Sequence, residues 1–86
     1  MKREIKITNT LGINASNAPM LVQFANNYKS SLWIETEDRR VNAKSLLGVI
    51  SLGVKKDTVV TIIAEGVDEE VAINGLAGVI ENGFAQ

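Results

Sequence analysis

The first residues of the chain alternate between apolar and polar positions. In REIKIT (residues 3–8), Ile5 and Ile7 fall on one face and the polar residues between them fall on the other. A two-residue period is typical of a strand with one buried face. The sequence therefore predicts a half-buried β-strand here, followed by a loop with the sequence NTLGINAS.

The apolar period then changes to that of a helix. Apolar residues recur at helical spacing and predict a helix over residues 17–28: Ala18, Leu21, Val22, Phe24, Ala25 and Tyr28. With Ser16 as the N-cap, Pro19 falls in the first turn, where its missing N–H is tolerated. With Asn14 as the N-cap, Pro19 would remove a hydrogen bond. The pattern favours Ser16 as the cap and leaves Asn14 in the loop.

Three further strands are predicted from short runs of β-favouring residues. They are SLWIETE (31–37), RVNA (40–43) and TVVTIIAE (58–65), and the last has the strongest strand signal because it is rich in β-branched residues. The turn EDRR lies between the first two of these strands.

Two more helices complete the prediction. In KSLLGVISL (44–52), Ser45 is a favourable N-cap for a short apolar helix. In the last helix, Asp68 is the predicted N-cap and Gly83 is predicted to end the helix. Two glutamates follow Asp68, where their negative charges interact favourably with the positive end of the helix dipole. Its expected buried stripe contains Val71 or Ala72, then Ile73, Leu76, Ala77 and Ile80.

The element order βαββαβα indicates an α+β fold. Four strands with the helices gathered on one face form an open-faced β-sandwich. Since 86 residues supply only one core, we expect a single domain over residues 1–86.

Composition narrows the chemistry further. The chain has no cysteine and no histidine, so it lacks disulfides, the commonest metal ligands and the usual proton shuttle. A net charge of −1 gives no reason to expect binding to nucleic acid or anionic membranes. Because there is no general base, metal cluster or glycine-rich phosphate loop, we expect no enzymatic activity, cofactor or metal. The absence of an apolar leader or membrane span predicts a soluble, cytoplasmic protein.

Three separated motifs occur in order and without gaps: TLGINASNAPMLVQFA, VNAKSLLGVISLGV and AEGVDEE. Together they resemble the motifs of the HPr phosphocarriers of the bacterial sugar phosphotransferase system. TLGINASNAPMLVQFA resembles the signature around the phosphorylatable histidine of that family. VNAKSLLGVISLGV resembles the second signature, whose serine is the regulatory phosphorylation site in Gram-positive bacteria. AEGVDEE matches the loop into the last helix. The resemblance implies the HPr-like fold, a four-stranded antiparallel sheet with three helices on one face.

The departures from the family pattern fall in the first motif. Asn14 stands where the family has its phosphoacceptor histidine, Ser16 where it has the arginine that clamps the phosphate, and Asn17 where it has a helix-starting proline. An asparagine amide cannot carry a labile phosphoryl group, because its nitrogen lone pair is delocalised. We expect Asn14 to be a turn residue bonded to its own loop. A residual anion site at 14–17, or Ser16 as a substitute phosphoacceptor, are the alternatives.

The second motif keeps its serine. The resemblance implies that an ATP-dependent HPr kinase/phosphorylase phosphorylates Ser45, and that the product binds a LacI-type catabolite control repressor. The family's catabolite-repression paralogues, in which glutamine replaces the histidine, follow the same logic. A partner surface is expected at Lys44, Leu46, Leu47 and Ile50, with Leu47 as the exposed contact, and enzyme I could meet it without phosphotransfer. The simpler interpretations are a capping serine and leucines that all belong to the core.

Other interpretations stay open. The chain could be an interaction module that is never phosphorylated, or an engineered or inactivated phosphocarrier. Trp33, Val59 and Ile63 are expected on the uncovered face of the sheet, as ordinary cross-strand packing or as a face for weak self-association. Basic residues are predicted to form a solvated surface: Arg39, Arg40, Lys44, Lys55 and Lys56.

Overall fold

The structure, a computed structural model, describes residues 1–84 and has the predicted element order. Most elements are shorter than the sequence suggested. In chain order they are β1 (Lys2–Lys6), α1 (Ala18–Ala25), β2 (Ser31–Glu35), β3 (Arg40–Asn42), α2 (Leu46–Ser51), β4 (Val59–Glu65) and α3 (Glu69–Glu81). Residues 85 and 86 of the predicted domain lie outside the described part of the chain.

The strands form one antiparallel sheet in the order β1-β4-β2-β3. Strand β4 lies inside the sheet and pairs with β1 on one side and β2 on the other. Ile5 of β1 is opposite Val60, and Ile34 of β2 is opposite Ile62. Because side chains alternate along a strand, these four residues share one face of the sheet, and all four are buried.

The helices cover this buried face. Helix α3 packs against β4 and β1, and α1 packs between α3 and α2. The α3 stripe consists of Ala72, Ile73, Leu76, Ala77 and Ile80, each at most 2% exposed. Of the two alternatives for its first position, Ala72 is buried and Val71 is 64% exposed. The fold is thus the expected α+β open-faced sandwich.

The opposite face of the sheet carries a smaller apolar contact than predicted. Trp33 is opposite Ile63 in the β2–β4 register, and the guanidinium carbon of Arg40 lies 4.3 Å from the centroid of the Trp33 ring. Ile63 is 2% exposed, whereas Val59 is 51% exposed. Val59 is four residues along β4 from Ile63 and pairs with Lys6. The predicted cluster therefore reduces to the pair of Trp33 and Ile63, with Arg40 stacked on the Trp33 ring and Val59 apart from them.

Helix α1 ends three residues before its predicted end at Tyr28. The side-chain amide of Asn26 donates to the Val22 carbonyl at 2.8 Å, and the N–H groups of Asn27 and Tyr28 bond to carbonyls three residues back. These are turn bonds rather than α-helical bonds, so the last turn is not continued.

The predicted capping role of Asp68 is wrong in its details. Asp68 occupies the N-cap position of α3, but its side chain makes no capping bond. Its carboxylate instead accepts hydrogen bonds from the N–H groups of Lys29 and Ser30, both at 2.9 Å, and from the Ser30 hydroxyl. Asp68 thereby joins the loop before β2 to the loop before α3. The Ser30 hydroxyl first, and then the Lys29 N–H, lower the pKa of Asp68 from 3.8 to about 2.

Within residues 1–84, no helix is long and apolar enough to cross a membrane. The same residues contain no group of three or more acidic side chains arranged to hold a metal ion.

Replacing Asp68 with asparagine tests the link between the two loops. The folded pKa lies below the unfolded value, so the ionised carboxylate stabilises the protein above pH 3.8, and this contribution is lost as the pH falls toward 2. We expect Asp68→Asn to be less stable than wild type near pH 7, with a difference that shrinks as the pH falls from about 5 to 2.

Urea unfolding across this pH range measures the effect. The control is Asp38→Asn, because the exposed Asp38 carboxylate accepts no hydrogen bond from any residue in 1–84. If the free energy of unfolding depended on pH equally in the wild type and in Asp68→Asn, the ionised Asp68 carboxylate would not be the group that stabilises the two loops.

Candidate functional site at the start of α1 and along α2

The loop that leads into α1 is held against the segment before β4. Gly12 has a φ of +64°, and a Cβ added there would lie 2.8 Å from the Cα of Lys55, so no other residue fits without displacing the backbone. The Ile13 N–H donates to the Val54 carbonyl at 3.0 Å, and the Ile13 side chain is 2% exposed. The backbone on the N-terminal side of Asn14 is therefore fixed by its contacts with the segment before β4.

The predicted N-cap at Ser16 is wrong. Asn17 is the N-cap of α1, Ser16 is exposed, and Pro19 is the second residue of the helix. The Asn17 side chain makes no capping bond either. Its amide group donates to the Gly12 carbonyl at 2.7 Å, and its amide oxygen accepts the Asn14 N–H at 2.9 Å. Asn17 thus occupies the N-cap position, but its side chain bonds to the loop before the helix and not to the helix N–H groups.

Asn14 makes the loop hydrogen bonds that were expected of a turn residue. Its side-chain oxygen accepts the N–H of Ser16 at 2.9 Å and the N–H of Asn17 at 3.3 Å. Its carbonyl oxygen accepts the N–H of Ala18 at 2.8 Å. The side-chain oxygen of Asn14 therefore accepts N–H groups that could otherwise bind an anion at the helix start.

The N–H groups that follow are also engaged. Those of Met20 and Leu21 bond to the Asn17 carbonyl at 3.2 and 3.5 Å, and Pro19 has no N–H. From residue 16 through residue 21, every backbone N–H has an acceptor in the chain. A helix N-terminus binds anions through unsatisfied N–H groups, so this helix start is poorly suited to hold phosphate.

Helix α2 begins as predicted. Ser45 is its N-cap, and the Ser45 hydroxyl accepts the Gly48 N–H at 3.2 Å. The residue before it, Lys44, differs from the predicted solvated side chain: its ammonium group donates to the Tyr28 carbonyl at 2.6 Å. Lys44 therefore ties the start of α2 to the turn that ends α1.

The apolar residues of α2 divide between the core and the surface. Val49 is fully buried and Ile50 is half-buried, whereas Leu46 is 40% exposed and Leu47 is 81% exposed. Leu47 is thus the most exposed residue of the predicted partner surface. Leu46 adds to this surface, while Ile50 packs partly against the core.

Arg39 was predicted to be a solvated side chain, but it is bonded to the end of α2, and the sequence did not indicate that contact. Its guanidinium donates to the carbonyl of Ser51 at 2.7 Å and to the Ser51 hydroxyl at 3.0 Å, at the last residue of α2. The one available signal is that α2 has no basic residue in its own last turn. A helix C-terminus favours a cation, which here comes from the turn before β3.

Together these features define a small α+β open-faced sandwich with two helix starts at its surface, one capped by Asn17 and one by Ser45. The family model described as "PTS HPr component phosphorylation site" matches residues 1–82. The chain belongs to the HPr phosphocarrier family.

Two relatives place it within that family. It is 35% identical over 86 residues to the phosphocarrier protein HPr of Neisseria meningitidis serogroup A, covering 100% of this chain and 97% of the relative. It is 36% identical over 81 residues to the HPr-like protein Crh of Bacillus subtilis, covering 94% of this chain and 95% of Crh.

Solved structures agree with the fold. The crystal structure of HPr-C-His from Thermoanaerobacter tengcongensis has a TM-score of 0.94 and 42% identity, covering 100% of this chain and 97% of that one. The HPr dimer from the same organism has a TM-score of 0.79 and 44% identity, covering 95% and 94%.

Replacing Asn14 with alanine tests its role at the start of α1. The substitution removes the side-chain oxygen that accepts the Ser16 N–H, and it leaves the Asn17 N–H with only the backbone carbonyl of residue 14 as acceptor. We therefore expect a loss of about 1 kcal/mol in the free energy of unfolding. The measurement is urea denaturation. Asn27→Ala is the matched control, because the Asn27 side chain is exposed and makes no hydrogen bond to residues 1–84. Equal stability of the two variants would contradict the role of Asn14.

Proposed function

We propose that this protein is a regulatory member of the HPr family that does not carry phosphohistidine. It is phosphorylated on Ser45 by an ATP-dependent HPr kinase and acts in the cytoplasm by binding other proteins in carbon catabolite regulation. The observation that carries the proposal is the contrast between two helix starts. The start of α1 has no side chain that can accept a phosphoryl group as histidine does, whereas the start of α2 has a serine.

The first helix start supports the loss of phosphotransfer. The chain contains no histidine, and Asn14 uses its side-chain oxygen to accept the N–H groups of Ser16 and Asn17. A phosphoryl group transferred to this position would need a nucleophile and free donors around it. Neither is offered by Asn14, and the hydroxyl of Ser16 has no histidine to act as its base.

The second helix start supports regulation. Ser45 is half-buried, and its hydroxyl accepts the Gly48 N–H. A phosphate on Ser45 would bring about two negative charges to a helix N-terminus, where they are stabilised rather than disruptive. The charge would stand two residues from Leu47, so phosphorylation would change the character of the exposed surface without unfolding it.

The expected partners follow from the family and from this surface. An HPr kinase/phosphorylase would act on Ser45, and a LacI-type catabolite control repressor would bind the phosphorylated protein around Lys44, Leu46, Leu47 and Ile50. The chain is 36% identical to Crh, the catabolite repression HPr of Bacillus subtilis, and this similarity supports a regulatory role. Enzyme I would be a contact without phosphotransfer.

A second candidate function is protein contact without phosphorylation. Leu47 is 81% exposed, and such a side chain beside Leu46 favours contact with a partner, whether or not Ser45 is modified. Self-association is one form of this function. The exposed Val59 on the open face of the sheet, and the HPr dimer among the similar structures, support it.

The intact mass of the protein after incubation with ATP and an HPr kinase/phosphorylase tests the first candidate. We expect one added phosphate in wild type and none in Ser45→Ala, since Ser45 is the proposed acceptor. Ser31→Ala is the matched control, because this exposed serine at the start of β2 makes no side-chain hydrogen bond within residues 1–84 and should leave the added mass unchanged.

A histidine-bearing HPr modified in the same reaction shows that the kinase is active. If that HPr gains phosphate and this protein does not, phosphorylation is wrong and the contact function stands. An added phosphate that persists in Ser45→Ala would place the modification elsewhere.

A further inference from the structure

We propose that Arg39 is a positioning residue for Ser45, the acceptor in the proposed function on which this inference rests. Arg39 lies in the turn before β3, twelve residues before the end of α2. It acts through Ser51 and Gly48, which connect its guanidinium to the Ser45 hydroxyl by hydrogen bonds.

The first step joins the guanidinium to the end of α2. One nitrogen donates to the Ser51 carbonyl at 2.7 Å and the other donates to the Ser51 hydroxyl at 3.0 Å. Two parallel donors on one rigid group fix direction as well as distance. The positive charge also lies at the helix C-terminus, where the peptide dipoles favour a cation.

The next steps cross the helix. The Ser51 hydroxyl donates to the Gly48 carbonyl at 2.7 Å, and the Gly48 N–H donates to the Ser45 hydroxyl at 3.2 Å. Gly48 is therefore bonded on both sides, toward Arg39 through Ser51 and toward the acceptor serine. A Cβ on Gly48 would lie 3.2 Å from the Ser45 hydroxyl oxygen, so little space separates the two residues.

Helix α2 needs such external support. It has six residues, and a helix of this length is not stable in water by itself. Lys44 fixes its start through the Tyr28 carbonyl at 2.6 Å, and Arg39 fixes its end. Loss of the Arg39 contacts would leave the end of α2 free to open, and Gly48 would then hold the Ser45 hydroxyl less firmly.

Arg40 provides a matched comparison. It is also exposed and has the same charge, but its guanidinium stacks on Trp33 on the open face of the sheet. Replacing it therefore removes one positive charge next to Arg39 without touching α2.

The experiment measures kcat and KM for phosphorylation by an HPr kinase/phosphorylase, with each variant of the full chain used as substrate. We expect Arg39→Ala to lower kcat by about fivefold or more with little change in KM, because the hydroxyl is misplaced while Leu47 still meets the kinase. Arg39→Lys should recover part of the rate, since one ammonium can still donate to the Ser51 carbonyl. Ser51→Ala should give a smaller loss, and Arg40→Ala should match wild type.

Circular dichroism sets a temperature at which every variant is folded, so lost rate cannot come from unfolded substrate. If Arg39→Ala is phosphorylated like Arg40→Ala, or if lysine recovers nothing, the positioning role is overturned and the proposed function stands. If wild type itself gains no phosphate, the proposed function fails and this inference fails with it.

Discussion

The arrangement of the molecule depends on the pairing of β4 on both of its edges. Val60, Ile62 and Ala64 are fully buried on one face of this strand, and the register with β1 and β2 brings their apolar residues onto that same face. A shift of one residue would turn each of these side chains to solvent, so the burial fixes the register. The loop with Asn14 is then placed by bonds to the segment that leads into β4, from Ile13 to Val54 and between Ile7 and Asp57.

With the backbone fixed in this way, the ability of each helix start to bind an anion depends on whether its N–H groups already have acceptors in the chain. A buried or ordered N–H needs an acceptor, which can be a side chain or a ligand. At α1 the acceptors are Asn14 and the Asn17 carbonyl, so the helix start is satisfied from within the chain. At α2 the Ser45 hydroxyl accepts the Gly48 N–H, and this hydroxyl is the group that we propose is phosphorylated. The two helix starts thus satisfy their N–H groups differently, through an asparagine at α1 and through a serine at α2.

Much of this could be predicted from sequence because it depends on local patterns. Period-two alternation located β1, richness in β-branched residues located β4, and Ser45 before an apolar run gave the start of α2. Asn14 was predicted to bond within its own loop because short polar side chains do so in turns. The absence of histidine from the chain needed only the composition.

The errors and omissions concern contacts between residues distant in the chain. Ser16 was favoured as the cap of α1 because it would place Pro19 in the first turn, but Asn14 and Asn17 bond to each other and the helix begins one residue later. Asp68 was expected to cap α3, whereas its carboxylate bonds to Lys29 and Ser30, 38 or more residues earlier. Arg39 reaches Ser51 across a turn and a strand, and no local spacing predicts that bond.

Hydrogen bonds within the chain occupy the N–H groups at the start of α1, so phosphate should not bind there, and amide chemical shifts measure this directly. Inorganic phosphate is added to the isotopically labelled protein at constant ionic strength and pH, and the N–H signals of Ser16, Asn17 and Ala18 are followed. We expect no saturable shift of these signals, because each N–H already has an acceptor in the chain. A saturable shift at these three residues, at millimolar phosphate, would contradict this expectation and restore an anion site to this helix.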